Sequence, residues 1–232
     1  MKKPTIKPVR QLLRGIRLVR SLASLIRDPN QLDVVFALAD DSVDPEEEAE
    51  LLAVLEPVVR ERLADPSVTP PAKVDLPALR LLPVGTFGRA VADFFDANGF
   101  DPAGLYHSDG PAVADFERFK LHMERTHDLW HVVTGMGTDV DGELGLQAFT
   151  LAQTGAPLAN LLFAAGFLNA IFYSPGAGPQ RLEAITAGWR IGKAARPLFG
   201  APWEAMWTWP LEQVREHFGI APWGAEAVRP AA

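Results

Sequence analysis

The sequence predicts an all-α fold, a single-domain helical bundle around an apolar cavity, on three observations. Apolar residues recur with the 3.6-residue period of a helix through most of the chain. Convincing period-two alternation, the mark of a half-buried strand, is missing. The breaks between periodic stretches carry helix punctuation, with capping residues ahead of them and Gly or Pro after.

The elements follow in order. Val9, Leu12, Leu13, Ile16, Val19, Ala23 and Ile26 repeat at helical spacing, and Arg10, Arg14, Arg17 and Arg20 fall largely between them. This amphipathic segment, residues 1–27, suits a helix lying on an anionic bilayer surface, a mitochondrial presequence, or a helix packed on the domain. Its periodicity runs on through Leu32, Val35, Phe36 and Leu38, which favours a helix that joins the fold of residues 28–232. Pro45–Ala64 reads as one helix, capped by Asp44 with Glu46, Glu47 and Glu48 in its first turn. Pro66, Pro70, Pro71 and Pro77 make a loop. Gly85-Thr86-Phe87-Gly88-Arg89 leads into a short helix that stops at Asn98-Gly99. Pro111 opens a long helix ending at Gly135, and Thr138-x-x-Asp141 looks like a capping box for the next. Two helices follow the break at Ser174–Pro179, near 180–197 and 203–218.

Composition narrows the function classes. The chain has 232 residues, enough for one good-sized core, and no Cys. That excludes a disulfide framework, a thiolate zinc site and a Cys nucleophile. Residues 1–27 hold eight cations and no acid, whereas the rest carries 14 cations against 29 acids. The basic head has no uninterrupted apolar core behind it, so it is not a secretory signal. Its helical spacing points to a lipid surface rather than nucleic acid. Between Glu143 and Arg181 there are 37 uncharged residues. Gln153, Pro157, Asn160, Gly166 and Asn169 interrupt them, so the stretch reads as buried helices and not as a span.

Chemistry concentrates in one place. Of five histidines, His127 and His131 lie at i, i+4 in His127-Asp128-Leu129-Trp130-His131, on one helix face with Asp128. Phe116, Phe119 and Met123 mark that face as the inward one. After the turn at Gly135–Thr138 the next helix brings Glu143, the last charge before the uncharged stretch. Two imidazoles and two carboxylates on antiparallel helices suit zinc or another divalent metal. The same spacing also occurs in satisfied polar core contacts. Asp139 and Asp141 compete with Glu143 as ligands, although capping suits them better. The Gly85–Arg89 loop has the composition of a helix-N-terminal anion site, yet a structural turn explains it as well. Five of six Trp lie late, at 189, 203, 207, 209 and 223, as an interface belt or as packing.

The pattern His127-Asp128-x-x-His131, eleven residues, Glu143 resembles the metal motif of the coenzyme Q biosynthesis protein 4 family. The resemblance covers most of the chain. Asp28-Pro29 with Asp33 is similar to an early family signature, and Pro83-x-Gly85-Thr86-Phe87-Gly88-Arg89 with Phe94 to a second. Trp189-x-x-Gly192, Trp203-Glu204-x-x-Trp207, Pro210-Leu211 and Arg215 resemble the C-terminal block. Where close relatives carry Lys-Trp-Phe-Glu after the zinc Glu, this chain has Gln147-Ala148-Phe149-Thr150, and a Tyr usual before the His-Asp pair is absent. Those departures suggest a divergent, bacterial member.

The resemblance implies an all-helical fold and zinc held by His127, Asp128, His131 and Glu143. It also implies peripheral attachment to the membrane where ubiquinone is made, on the cytoplasmic face in bacteria or the matrix face in mitochondria. Partners would be a polyprenylated lipid, other ubiquinone-biosynthesis proteins and a second copy of the chain. Two roles compete: a metal-dependent decarboxylase acting on a polyprenylated hydroxybenzoate, and a non-catalytic scaffold presenting prenyl intermediates. In the first, Phe149, Leu151, Leu161, Leu162 and Phe167 are expected to line the tail's tunnel. A His-Asp phosphohydrolase would need a separate upstream His and a later Asp on other helices, which are not evident here.

Overall fold

A computed structural model of the chain describes residues 7–29, 31, 34, 35, 38, 48–102 and 114–224. Among them the fold is helical, and the one extended contact is an isolated bridge between Thr86 and Pro210. The helices are α1 (Lys7–Arg27), α2 (Glu48–Val54), α3 (Pro57–Ala64), α4 (Leu76–Leu79), α5 (Phe87–Asn98) and α6 (Asp115–Thr134). There follow α7 (Val140–Thr154), α8 (Leu158–Phe172), α9 (Gly178–Ala194), a 3₁₀ turn (Trp203–Met206) and α10 (Leu211–Phe218). Expectations that rest on Leu32, Asp33, Phe36, Asp44, Glu46, Glu47 and Pro111 lie outside the described residues.

Several boundaries differ from expectation for local reasons. The helix expected over 45–64 is two, because Pro57 has no N–H to continue α2 and instead starts α3. The Pro-rich loop contains one turn, α4, capped by the Asp75 carboxylate on the Ala78 N–H. The capping box expected at Thr138–Asp141 is displaced by one residue. Asp139 is the N-cap and accepts from the Gly142 N–H at 2.7 Å, while the Thr138 hydroxyl donates to Asn98 Oδ1. The last expected helix, 203–218, breaks at Pro210 into the 3₁₀ turn and α10. The helix expected near 180–197 ends at Ala194, three residues ahead of Pro197. Helices α5 and α6 end as expected, on Gly99 and Gly135, both left-handed, with φ of 67° and 71°.

The main core gathers α5, α6, α7 and the C-terminal elements around Phe87, Phe95, Trp130, Phe149 and Trp203, all fully buried. A second core is the seat of α1: Leu25 packs with Leu38, Leu144, Leu162 and Ala165, flanked by Leu18, Leu22 and Ile26. A third joins α2 and α3 to Phe119 and Phe199. Helices α7 and α9 pack backbone to backbone. A Cβ on Gly188 would overlap the carbonyl of Gly145, and one on Gly192 would lie 2.9 Å from the Phe149 oxygen. That approach holds α7, and the carboxylate at its start, in a fixed position. No helix among the described residues is long and apolar enough to cross a membrane.

Candidate metal centre

Helix α6 carries His127 and His131 one turn apart toward the start of α7. The reversal that brings α7 back is short, and Gly142 makes it fit: a side chain there would collide with the backbone of Gly137. Glu143 therefore arrives beneath both imidazoles. Its Oε1 lies 3.2 Å from His131 Nε2 and its Oε2 3.6 Å from His127 Nε2, and the two Nε2 atoms are 3.2 Å apart. Asp128 completes the group, with a carboxylate oxygen within 4.8 Å of donor atoms on both histidines.

The tautomer of His131 follows from its other edge. Nδ1 lies 3.0 Å from the Met136 carbonyl oxygen, which can only accept, so Nδ1–H donates there. The neutral ring then presents a lone pair at Nε2, pointed at a second imidazole nitrogen and a carboxylate oxygen. Such convergence of acceptors is repulsive unless a proton or a cation sits among them. The spacings of 3.2–3.6 Å bracket the edge of a tetrahedron with metal bonds of about 2.0–2.1 Å, roughly 3.3–3.4 Å. The residues fit a divalent ion. Phe94 lies on the face of His131, 5.4 Å between ring centres and 23° from parallel, and fixes the ring plane.

Protonation follows the same geometry. Burial raises the Glu143 carboxyl, but when the imidazoles of His127 and His131 carry a proton on Nε2 their hydrogen bonds and charge outweigh it and bring the group down to about 2. Burial opposes charge on His127, yet Glu143 and Asp128 draw its pKa upward. Asp128 is raised, by burial first and by the charge of Glu143, against the pull of the two imidazoles. The His131 side chain is sealed at 1% exposure, whereas His127 and Glu143 keep 32% and 29%. The centre is open on that side, as a site that admits a ligand must be.

Other expected residues take structural parts. Asp139 caps α7 and Asp141 pairs with Arg181 at 3.6 Å, so neither competes with Glu143. In the Gly85–Arg89 loop the Phe87 and Gly88 N–H groups donate to the carbonyls of Trp209 and Trp207, and Arg89 binds Asp93; the loop is a structural turn. Trp203 is buried and Trp207 stacks on Phe87 at 5.1 Å, while Trp189 stands at the surface beneath Lys193. The five residues assigned to a tail tunnel have different surroundings: Phe149 packs on Trp130 in the main core, Leu162 lies in the second core, Leu161 is exposed, and Leu151 and Phe167 are partly buried. Spacing did not reveal the Met136 carbonyl, which is backbone. Phe94, 37 positions from its partner, stood out only as part of a signature.

Residues 8–223 match the family model described as coenzyme Q (ubiquinone) biosynthesis protein Coq4. The chain is 29% identical over 212 residues to the mitochondrial ubiquinone biosynthesis protein COQ4 of Coprinopsis cinerea, covering 84% of this chain and 67% of that one. It is 30% identical over 221 residues to the corresponding protein of Aspergillus niger, covering 92% and 73%. A crystal structure from Nostoc punctiforme, described as a ubiquinone biosynthesis protein, superposes with a TM-score of 0.72 at 30% identity, over 89% of this chain and 96% of that one. With its helical fold and the His-Asp-x-x-His and Glu residues gathered in one place, the chain belongs to the Coq4 family of ubiquinone biosynthesis proteins.

Proposed function

We propose that the chain holds a divalent metal, zinc foremost, on His127, His131, Glu143 and Asp128, and uses it to decarboxylate a polyprenylated hydroxybenzoate at a membrane surface. The observation that carries this is the meeting of two imidazole nitrogens and a carboxylate at 3.2–3.6 Å with the far edge of His131 tied to Met136. When bound, the ion supplies a Lewis acid for the substrate's oxyanion as negative charge develops. The protein's part is orientation: Met136 and Phe94 hold His131, and the α7–α9 contact holds Glu143. The ring carbon loses CO₂ and gains a proton, which enters from water on the open side between His127 and Glu143.

The membrane part rests on α1. Leu12, Ile16 and Val19 form an exposed apolar arc beside Arg20, while Leu18, Leu22 and Leu25 face the fold. Such a helix lies in an anionic interface. The test is turnover of a prenylated hydroxybenzoate by zinc-loaded protein, read as CO₂ release. It should vanish in His127→Ala/His131→Ala, and a surviving rate overturns the catalytic reading. The scaffold reading draws on the apolar residues left at the surface, Ile171, Phe172 and Tyr173, which suit lipid or partner contact. It expects chelation to unfold the protein and no turnover by the purified chain.

A further inference from the structure

Arg181 is 4% exposed and Asn169 3%, deep between α7, α8 and α9, and neither has a place in the metal centre. The Arg181 guanidinium donates through Nη1 to the Gly166 carbonyl and through Nη2 to Asn169 Oδ1 at 2.7 Å, and its Nε forms an ion pair with Asp141 at 3.6 Å. Asn169 in turn donates from Nδ2 to the carbonyl of Ile26, in the last turn of α1, at 2.8 Å. Asp141 stands in the first turn of α7, two residues ahead of Glu143. A polar chain therefore runs from the end of α1 through α8 and α9 to the turn that presents Glu143. An apolar link runs beside it. Leu144, the neighbour of Glu143, sits in the second core with Leu25 of α1, in a space kept open by Gly166, where a Cβ would come within 2.7 Å of the Leu144 side chain. A buried guanidinium has a strong requirement for its partners, because an unpaired charge at that depth is costly. Once α1 leaves its seat, Asn169 loses a partner, and the amide that orients Arg181 is free to turn.

We propose that Arg181 is a positioning residue for Glu143, and that through Arg181 and Asn169 the seating of α1 sets the affinity of the centre for a divalent metal. The proposal rests on the metal-centre reading above. Because coupling between sites is reciprocal, metal binding must tighten α1 against α8 to the same degree. The helix offered to the membrane and the centre that handles the ring would then report on each other.

The test uses the full chain, with zinc affinity measured by competition with a chromogenic chelator, the absorption spectrum of the Co²⁺-loaded protein, and hydrogen exchange across Lys7–Arg27. Zinc is expected to slow exchange in α1 of the unaltered chain. Arg181→Met should weaken zinc about tenfold, in the range of outer-shell substitutions, change the Co²⁺ spectrum and abolish the effect of zinc on α1. Asp141→Asn, at a partly exposed site, should act in the same direction and carries the affinity test should Arg181→Met not fold. Leu63→Ala, in the third core, should lose stability without altering zinc affinity or the Co²⁺ spectrum. An unaltered chain that binds zinc yet exchanges α1 amides equally with and without it overturns the coupling and leaves the centre standing. So does a folded Asp141→Asn that binds within twofold of the unaltered chain, or a Leu63→Ala that moves affinity equally. An unaltered chain that takes up no zinc overturns the centre itself, and the coupling with it.

Discussion

Helix α6 buries two histidines nine residues apart, His122 at 1% exposure and His131 at 2%, and their surroundings are opposite. Around His122 stand Arg62, Arg118 and Arg125, whose side chains reach the carbonyls of Phe199, Leu63, Asp65, Val68 and Pro71. Burial, with those three charges, depresses its pKa to about 4, and neither ring nitrogen has a hydrogen-bond partner among the described residues. It rests against Phe199, 4.4 Å between ring centres. Around His131 stand a second imidazole and the carboxylates of Asp128 and Glu143. The same side chain, on the same helix and at the same depth, meets a field that rejects a cation at one end and gathers acceptors for one at the other. Depth alone does not suit a histidine to a cation; the sign of the neighbouring charge does.

The largest expected effect separates the two ends outright. His127→Ala/His131→Ala should abolish stoichiometric zinc uptake, whereas His122→Leu should leave it at the level of the unaltered chain. Elemental analysis of the purified proteins decides this, and zinc lost equally from both would erase the distinction.

The second effect is on stability and belongs to His122. The unfolded chain protonates this residue below its ordinary value near 6.5, and the folded chain only near 4. Between those values the unfolded state binds the extra proton, so this group's contribution is present above pH 6.5 and is lost as pH falls toward 4. A drop from 6.5 to about 4 makes that loss about 3 kcal/mol. In urea unfolding of metal-free protein, His122→Leu should flatten that dependence. An unchanged slope would mean that His122 is not held neutral.

The third effect concerns the other end. Glu143→Gln removes a direct ligand and should weaken zinc by at least the tenfold that loss of an outer-shell partner costs, roughly 1.4 kcal/mol or more. Metal-free protein should also change in acid. The folded-state pKa of Glu143 is lowered to about 2, so its contribution is present above its ordinary value of 4.5 and is lost as pH falls through 2. The variant should lack that acid-side loss, the mirror of His122→Leu.

How much of this contrast was legible in the sequence depends on range. His127, Asp128 and His131 share a face by helical spacing, and Glu143 follows after a glycine turn, so local period and turn chemistry sufficed to place them together. Around His122, Arg118 and Arg125 stand one turn away on α6 by the same spacing, but Arg62, 60 positions away, was not legible, and the reach of all three to loop carbonyls has no periodic signature. The N-cap of α7 fell on Asp139 and not on Thr138, since a one-residue choice between two good caps is decided by the Asn98 contact from another helix. Pro57 was visible, but the helical period continued across it and masked the break. The α7–α9 approach through Gly145, Gly188 and Gly192 could be seen as glycines, though not as partners.

The smallest expected effect tests whether His131 is held as well as surrounded. Phe94 stacks on one face of the imidazole and meets Phe100 edge to face, so it sits between the candidate metal centre and the main core. His122 has an aromatic neighbour too, in Phe199, so an aromatic contact is common to both ends and cannot be what distinguishes them. At His131 its part is orientation, because the ring must keep Nδ1 on Met136 while Nε2 faces His127 and Glu143. Phe94→Leu retains most of the apolar volume and removes the stacked face, worth about 0.5–1.5 kcal/mol. Zinc affinity should fall by roughly two- to twelvefold on that energy, with a smaller change in thermal stability. A variant that loses stability while binding zinc as tightly as before would make Phe94 a core residue, and the Met136 carbonyl alone would account for the set of the ring.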